Sequence, residues 1–297
     1  MANDIRKFWL ENQNGDLWYF TDEESKTFFD APTGLGINLE YGGYRLGNAE
    51  VINYQNYDLL AIQGTLLFFR NSRAEIYKDY FDFMNFIANN SLLKLHYKTP
   101  NSFDSFYRYC FVRKVDKTQI NSDALAMECP ITFQTQTFWR NDNKNVVVVD
   151  NSIANDGKSY ELTRSYYYPT SKLSNIKVLN RGNTETALKV TIEGEVTNPT
   201  LNVYDNSNDK YGAMRMLGTF DKVIVDSDDI SESIVLEQDG ATLVAPYSYQ
   251  DLSIGSPNQT YITFLKLKSG ESSLRFNADN SFNGIVTLEW SDEYVAI

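Results

Sequence analysis

His96 is the only histidine of the 297-residue chain, and Cys110 and Cys129 are its only cysteines. A Ser-His-Asp or Cys-His arrangement needs one imidazole nitrogen on the nucleophile and the other on an orienting acid, so any such site centres on His96. The residue lies in LLKLHYK, where alternation puts Leu93, Leu95 and Tyr97 on one strand face and Leu92, Lys94 and His96 on the other. That pattern reads as a structural histidine. One histidine and two distant cysteines match no zinc-ligand spacing. Carboxylates are plentiful, yet no two are singled out as the pair, about 5–9 Å apart, that glycoside hydrolysis requires. The expectation is therefore no catalytic residue, no cofactor and no metal.

Two acidic stretches look superficially like calcium loops. DNSNDKYG (205–212) lacks the glycine and glutamate that an EF-hand frame needs, and DSDDISE (226–232) has no such frame. Both read as solvated turns. Tyr166, Tyr167 and Tyr168 before Pro169 could stack on a sugar, but burial at a domain seam is the favoured reading.

Glycines raise a different possibility. APTGLGINLEYGGYRLGN (31–48) holds Gly34, Gly36, Gly42, Gly43 and Gly47, and glycine clusters can cradle phosphates. A phosphate loop opens a helix and ends in Lys-Ser/Thr, whereas Ile37 to Tyr41 alternates apolar and polar as a strand does. The stretch reads as turn, strand, turn.

Composition narrows the rest. The chain has 20 Tyr and 18 Phe against 7 Pro, which leans toward β structure, and its length allows two domains with separate cores. Net charge is −12, most of it beyond residue 140, which disfavours binding to DNA phosphates or anionic lipid. No segment has the length of uncharged apolar sequence that spans a membrane, and the N-terminal residues lack the apolar core of a secretory signal, so synthesis in a cytoplasm is expected.

The elements that must position these residues are mostly strands. In the first half they are expected at 8–10, 17–20, 37–41, 59–69, 92–97, 107–115 and 125–134. NSRAEIYKDYFDFMNFIANN carries Ile76, Tyr80, Phe83, Met84 and Ile87 at helical spacing. Ser72 and Glu75 form a capping box at its start, and Asn89-Asn90 can stop its last turn. A hairpin turning near Gln119 to Asp123 would set Cys110 opposite Cys129, Val112 opposite Met127 and Phe106 opposite Phe133. In a cytoplasmic protein two buried thiols are favoured over a disulfide. The run around FWRNDNKNVVVVD marks a domain change near residue 141, with Val146 to Val149 as an all-apolar strand. Beyond it, short β segments at intervals of about eight to twelve residues suggest a sandwich.

The order of these features resembles the distal tail protein family of long-tailed phages that infect Gram-positive bacteria. The first half is similar in its opening hairpin, the TGLG turn (33–36), LLAIQGTLLFF (59–69), the capped helix, SLLKLHY and the closing ITFQTQTFW (131–139). The second half resembles that family's galectin-like sandwich in NTETALKVTIEGEVTNPTLNVY (183–204), FDKVIVDSDD (220–229), FLKLKSGESSLRFN and GIVTLEW. The resemblance implies a mainly β protein: an N-terminal ring-forming β domain with one helix at 1–140, then a galectin-like β-sandwich at 141–297. It further implies a non-enzymatic, homohexameric hub at the virion tail tip that joins the tail tube to the baseplate or tail fibre and lets DNA pass. Expected partners are copies of itself, the tail-tube protein, a tail-associated lysin or fibre protein, and receptor-binding or baseplate proteins, with no specific nucleic-acid binding and no membrane. No inserted arm for receptor-binding proteins is visible. The second half has no histidine and only Trp290, so the fold resemblance does not carry galectin-type sugar binding with it. The alternative reading is a carbohydrate-binding tail component that touches the host cell wall.

Overall fold

The computed structural model describes residues 6–21, 25, 27–88, 90, 92–100, 104–121, 123, 125–151, 172–244, 261–262 and 264–297. The chain forms two compact units: Met1–Asn143 together with Tyr294–Ile297, and Lys144–Glu293. Among the described residues the fold is mainly β with one α-helix, and every strand pair described is antiparallel.

The strands of unit 1 are β1 (Lys7–Glu11), β2 (Leu17–Tyr19), β3 (Thr27–Thr33), β4 (Asn38–Leu46), β5 (Ala49–Asp58) and β6 (Ile62–Phe69). Helix α1 (Arg73–Ala88) follows, then β7 (Leu93–Lys98), β8 (Phe106–Val115), β9 (Ala126–Thr135) and β10 (Trp139–Asn141). The main sheet runs β2-β1-β7-β8-β9-β6-β3, with β10 paired to β8. Strands β4 and β5 stand apart as their own two-stranded sheet.

Helix α1 starts where Ser72 caps it. The Glu75 backbone N–H donates to Ser72 Oγ at 3.3 Å. The Ser72 hydroxyl in turn donates to the Glu75 carboxylate at 2.9 Å, so that carboxylate answers the hydroxyl and not the backbone N–H of the expected reciprocal box. At the other end the Asn90 side-chain amide donates to the Phe86 carbonyl at 2.6 Å, closing the last turn. The helix buries Ile76, Asp79 and Phe83, with Tyr80, Phe86 and Ile87 partly covered. Phe83 meets Trp18, Phe20 and Phe68, so the helix covers an aromatic face of the sheet.

The hairpin register differs from the expected one. Cys110 lies opposite Thr135 and Val112 opposite Phe133, while Cys129 pairs with Leu66 of β6. The β8–β9 ladder runs on past β8: the Asp116 N–H donates to the Pro130 carbonyl, and Asn121 bridges Ala126. The turn therefore comes later than Gln119 and every partner shifts. Both cysteines are free and buried.

Unit 2 opens with β11 (Asn145–Asp150), β12 (Ile176–Asn180), β13 (Thr186–Ala187), β14 (Lys189–Thr197), β15 (Thr200–Asp205) and β16 (Lys210–Arg215). It continues with β17 (Thr219–Asp226), β18 (Ser233–Gln238), β19 (Ala241–Val244), β20 (Tyr261–Ile262), β21 (Lys266–Leu267), β22 (Gly270–Asn277) and β23 (Ile285–Trp290). One sheet runs β11-β23-β14-β17-β18-β19, the other β12-β22-β15-β16-β20, and β13 pairs with β21. Val190, Ile192, Val223 and Leu288 of the first sheet share one core with Val178, Leu201, Val203 and Leu274 of the second, which makes unit 2 a β-sandwich. The all-apolar valine run forms β11 as a strand and alternates: Val147 and Val149 pack on the core, while Val146 and Val148 are exposed at the sheet edge. The short strand β24 (Glu293–Tyr294) follows and pairs with β10, and Tyr294–Ile297 belong to unit 1.

Candidate assembly surface

The glycine-rich stretch runs from the end of β3 through β4 into the turn of the β4–β5 hairpin, and three of its glycines each do a different job. Gly34, at φ +81°, pinches the base: a Cβ there would stand 2.1 Å from the Ala61 carbonyl oxygen. Gly43 sits at a bulge where the register jumps from Gly42↔Tyr54 to Gly43↔Ile52, leaving Asn53 as the extra residue of β5. Gly47, at φ +62°, forms with Asn48 the two-residue turn between the paired Leu46 and Ala49.

The base is tied into unit 1. The Trp139 indole N–H donates to the Leu35 carbonyl at 3.3 Å, and the Thr135 hydroxyl donates to the Leu60 carbonyl at 2.9 Å. Tyr57 meets Phe138 edge-on, with ring centroids 6.3 Å apart. Beyond the base the hairpin carries large apolar groups into solvent: Tyr41 and Tyr44 are each 53% exposed, Ile52 58% and Leu46 66%. Register puts Tyr41 and Ile52 on one face and Tyr44 and Leu46 on the other. A two-stranded hairpin of this kind is marginal in water by itself, and this one exposes apolar groups on both faces.

The residues that could have carried chemistry are held in structural roles. His96 is buried, stacked on Trp9 at 4.8 Å with planes 9° apart. Its Nε2 lies 3.0 Å from Glu11 Oε2 and its Nδ1 3.2 Å from Asp142 Oδ1. The Ser105 hydroxyl donates to Asp142, not to His96, and both imidazole nitrogens face carboxylates, so neither is left to take a proton from a serine. Burial pushes the Asp142 carboxyl up, but hydrogen bonds from His96 and Ser105 and the charges of His96 and Lys94 outweigh it and hold the group below its ordinary value. Burial also pushes the Cys110 thiol up to about 12 and raises Cys129, which is the condition of inert thiols.

Asp205 accepts the N–H groups of Ser207 and Asp209 at 3.0 Å each, and Asp226 accepts that of Asp228 at 3.1 Å, so both acidic stretches are turns braced by their own carboxylates. Among the described residues no group of three or more His, Cys, Asp or Glu side chains is placed to hold a metal ion. Tyr166, Tyr167 and Tyr168 lie outside the described residues. The second strand, β5, has no counterpart among the strands expected from the sequence: AEVINYQNYD mixes polar and apolar residues without clean alternation, and its Ile52, Asn53, Asn56 and Tyr57 are exposed.

Residues 7–136 match the family model described as distal tail protein, N-terminal domain. Comparison with curated proteins gives no match. Among solved structures, a chain of the phage P2 baseplate in its activated conformation with calcium is similar at 18% identity and a TM-score of 0.63, over 99% of this chain and 100% of that one. A chain of the same baseplate with strontium is similar at 17% identity, a TM-score of 0.63 and the same coverage. The SPP1 Dit protein, described as a paradigm of the hub adsorption apparatus in phages infecting Gram-positive bacteria, aligns at 11% identity and a TM-score of 0.60, over 96% of this chain and 98% of that one. At these identities the likeness is one of fold.

Proposed function

We propose that this chain, which carries a distal tail protein N-terminal domain at residues 7–136, is a structural hub subunit at the distal end of a phage tail. In this reading six copies of unit 1 close into a ring that continues the tail tube and leaves a passage for DNA. Unit 2, a galectin-like sandwich, serves as the platform for baseplate, fibre, lysin or receptor-binding proteins. The mechanism is geometric and needs no catalytic residue.

The observation that carries this reading is the unpartnered β4–β5 hairpin. Its occupant is a second copy of the chain, since the hairpin belongs to the matched domain and a head-to-tail contact repeated around an axis closes a ring. Covering Leu46 or Ile52 contributes about 1.5–3 kcal/mol each, enough for a few such residues to decide assembly.

Light scattering of the purified protein, with negative-stain images of the same fraction, tests the reading. Six-fold rings are expected, and Leu46→Lys combined with Ile52→Lys should give folded monomers that melt cooperatively, below the assembled wild type. A strict monomer at high concentration, both alone and with the tail-tube protein, would overturn it.

A further inference from the structure

Strand alternation in unit 2 builds a second surface. Leu274 and Phe276 of β22 point into the core, so Glu271, Ser273 and Arg275 point outward. Lys177 of β12 and Tyr204 of β15 are the register partners of Ser273 on its two sides, which sets the three in one cross-strand row. The turn after β15 rises beside this face, and together they enclose a groove of about 720 Å³.

The groove is built to hold its groups still. Asp205 braces the turn through the Ser207 and Asp209 N–H groups, and Asn208 stands at φ +63°. From there Asn208 Oδ1 accepts a hydrogen bond from Arg275 Nη2 at 2.5 Å. The same guanidinium lies 4.1 Å over the Tyr204 ring. An arginine fixed by a ring on one side and an amide on another presents its remaining N–H groups at little entropic cost.

Charge and polarity choose the ligand. The lining carries Lys177 and Arg275 against Asp205 and Glu271, Asp205 also pairing with Lys268 at 3.6 Å, and the rest of it is serine and asparagine, with no apolar side chain. A polyanion needs a surplus of cations, and an apolar ligand needs apolar walls. A balanced set of donors and acceptors in a space of this size fits a molecule whose hydroxyls both give and take hydrogen bonds.

We infer that this groove binds a short neutral oligosaccharide. Arg275 and Lys177 donate to its ring and hydroxyl oxygens, and Glu271 accepts from its hydroxyls. The site goes beyond the ring-forming role and stands without it. It uses no histidine and no tryptophan, so it differs from a galectin-type site.

The test exposes the full-length protein to an array of neutral hexose and N-acetylhexosamine oligosaccharides and then titrates the strongest binder, with a glycerol phosphate polymer as the anionic arm. Saturable binding to a neutral saccharide is expected, weakened at least tenfold by Arg275→Ala and by Glu271→Gln, and unchanged by Leu46→Lys with Ile52→Lys. Lys177→Ala, at an exposed position away from the Tyr204 stack, reads the same groove if Arg275→Ala fails to fold. The inference is overturned if no neutral saccharide binds, if binding survives these substitutions in folded protein, or if the glycerol phosphate polymer binds more tightly than every saccharide. None of those outcomes changes the ring reading, which rests on oligomeric state.

Discussion

Gly43 faces the backbone of Val51 so closely that a Cβ on it would lie 2.3 Å from the Val51 carbonyl oxygen. No side-chain rotation relieves that contact, because the obstructing atom is backbone. Gly43→Val is therefore expected to open the bulge at a local cost of about 1–3 kcal/mol. The expected readout is loss of higher-order assembly in light scattering, with the main thermal transition of unit 1 left in place.

Arg108 is buried beneath the Trp139 ring, 4.6 Å from its centroid, and its Nη2 donates to the Val295 carbonyl at 3.0 Å. Among the described residues its Nε and Nη1 have no hydrogen-bond partner, and burial draws the guanidinium down to about 9. An isosteric apolar residue relieves that desolvation, so Arg108→Met should be neutral or stabilising. Arg108→Ala leaves a cavity and should cost about 2–5 kcal/mol. Thermal melts of the two variants should move apart.

Asp142 sets an acid limit. Its folded carboxyl is held below the ordinary value, so its contribution is complete above about pH 4 and is lost as pH falls through the folded value. Denaturant midpoints measured downward from pH 6 should decline below about pH 4, and Asp142→Asn should flatten that limb. The variant should also cost about 1–3 kcal/mol at neutral pH, since His96 and Ser105 lose a charged acceptor.

The thiols supply a check on packing. Cys110 is fully buried and its pKa is pushed up to about 12, so a thiol-reactive dye should leave it unmodified at pH 8 until denaturant is added. Labelling of Cys110 or Cys129 in the native state, followed by mass spectrometry, would contradict the placement of β8 and β9.

What the sequence revealed and what it hid divide by range. Helix α1 was legible because Ser72, Glu75 and the spacing of Ile76, Tyr80 and Phe83 all act within a few residues of one another. The β8–β9 register was misread because Asp116 and Asn121, polar residues that look like loop, extend the ladder through their backbones. Strand β3, TFFDAPT, was hidden by Pro32 and by the positive φ of Ala31, which break its alternation. His96 was readable as a strand residue, but its partners Glu11 and Asp142 are 85 and 46 positions away, and no local pattern announces them. The groove at Arg275 depends on three strands and a turn meeting, which lies outside any short window.

Because Tyr294–Ile297 belong to the first unit although residues 144–293 are made before them, the two units differ in when they can be finished. On the ribosome, residues 144–293 of unit 2 emerge before Tyr294–Ile297 can join unit 1. A chain released early, anywhere before Val295, leaves Arg108 buried without its carbonyl acceptor and β10 without its C-terminal neighbour. The first unit is thus discontinuous in sequence, and residues that follow the second unit supply part of its hydrogen bonding.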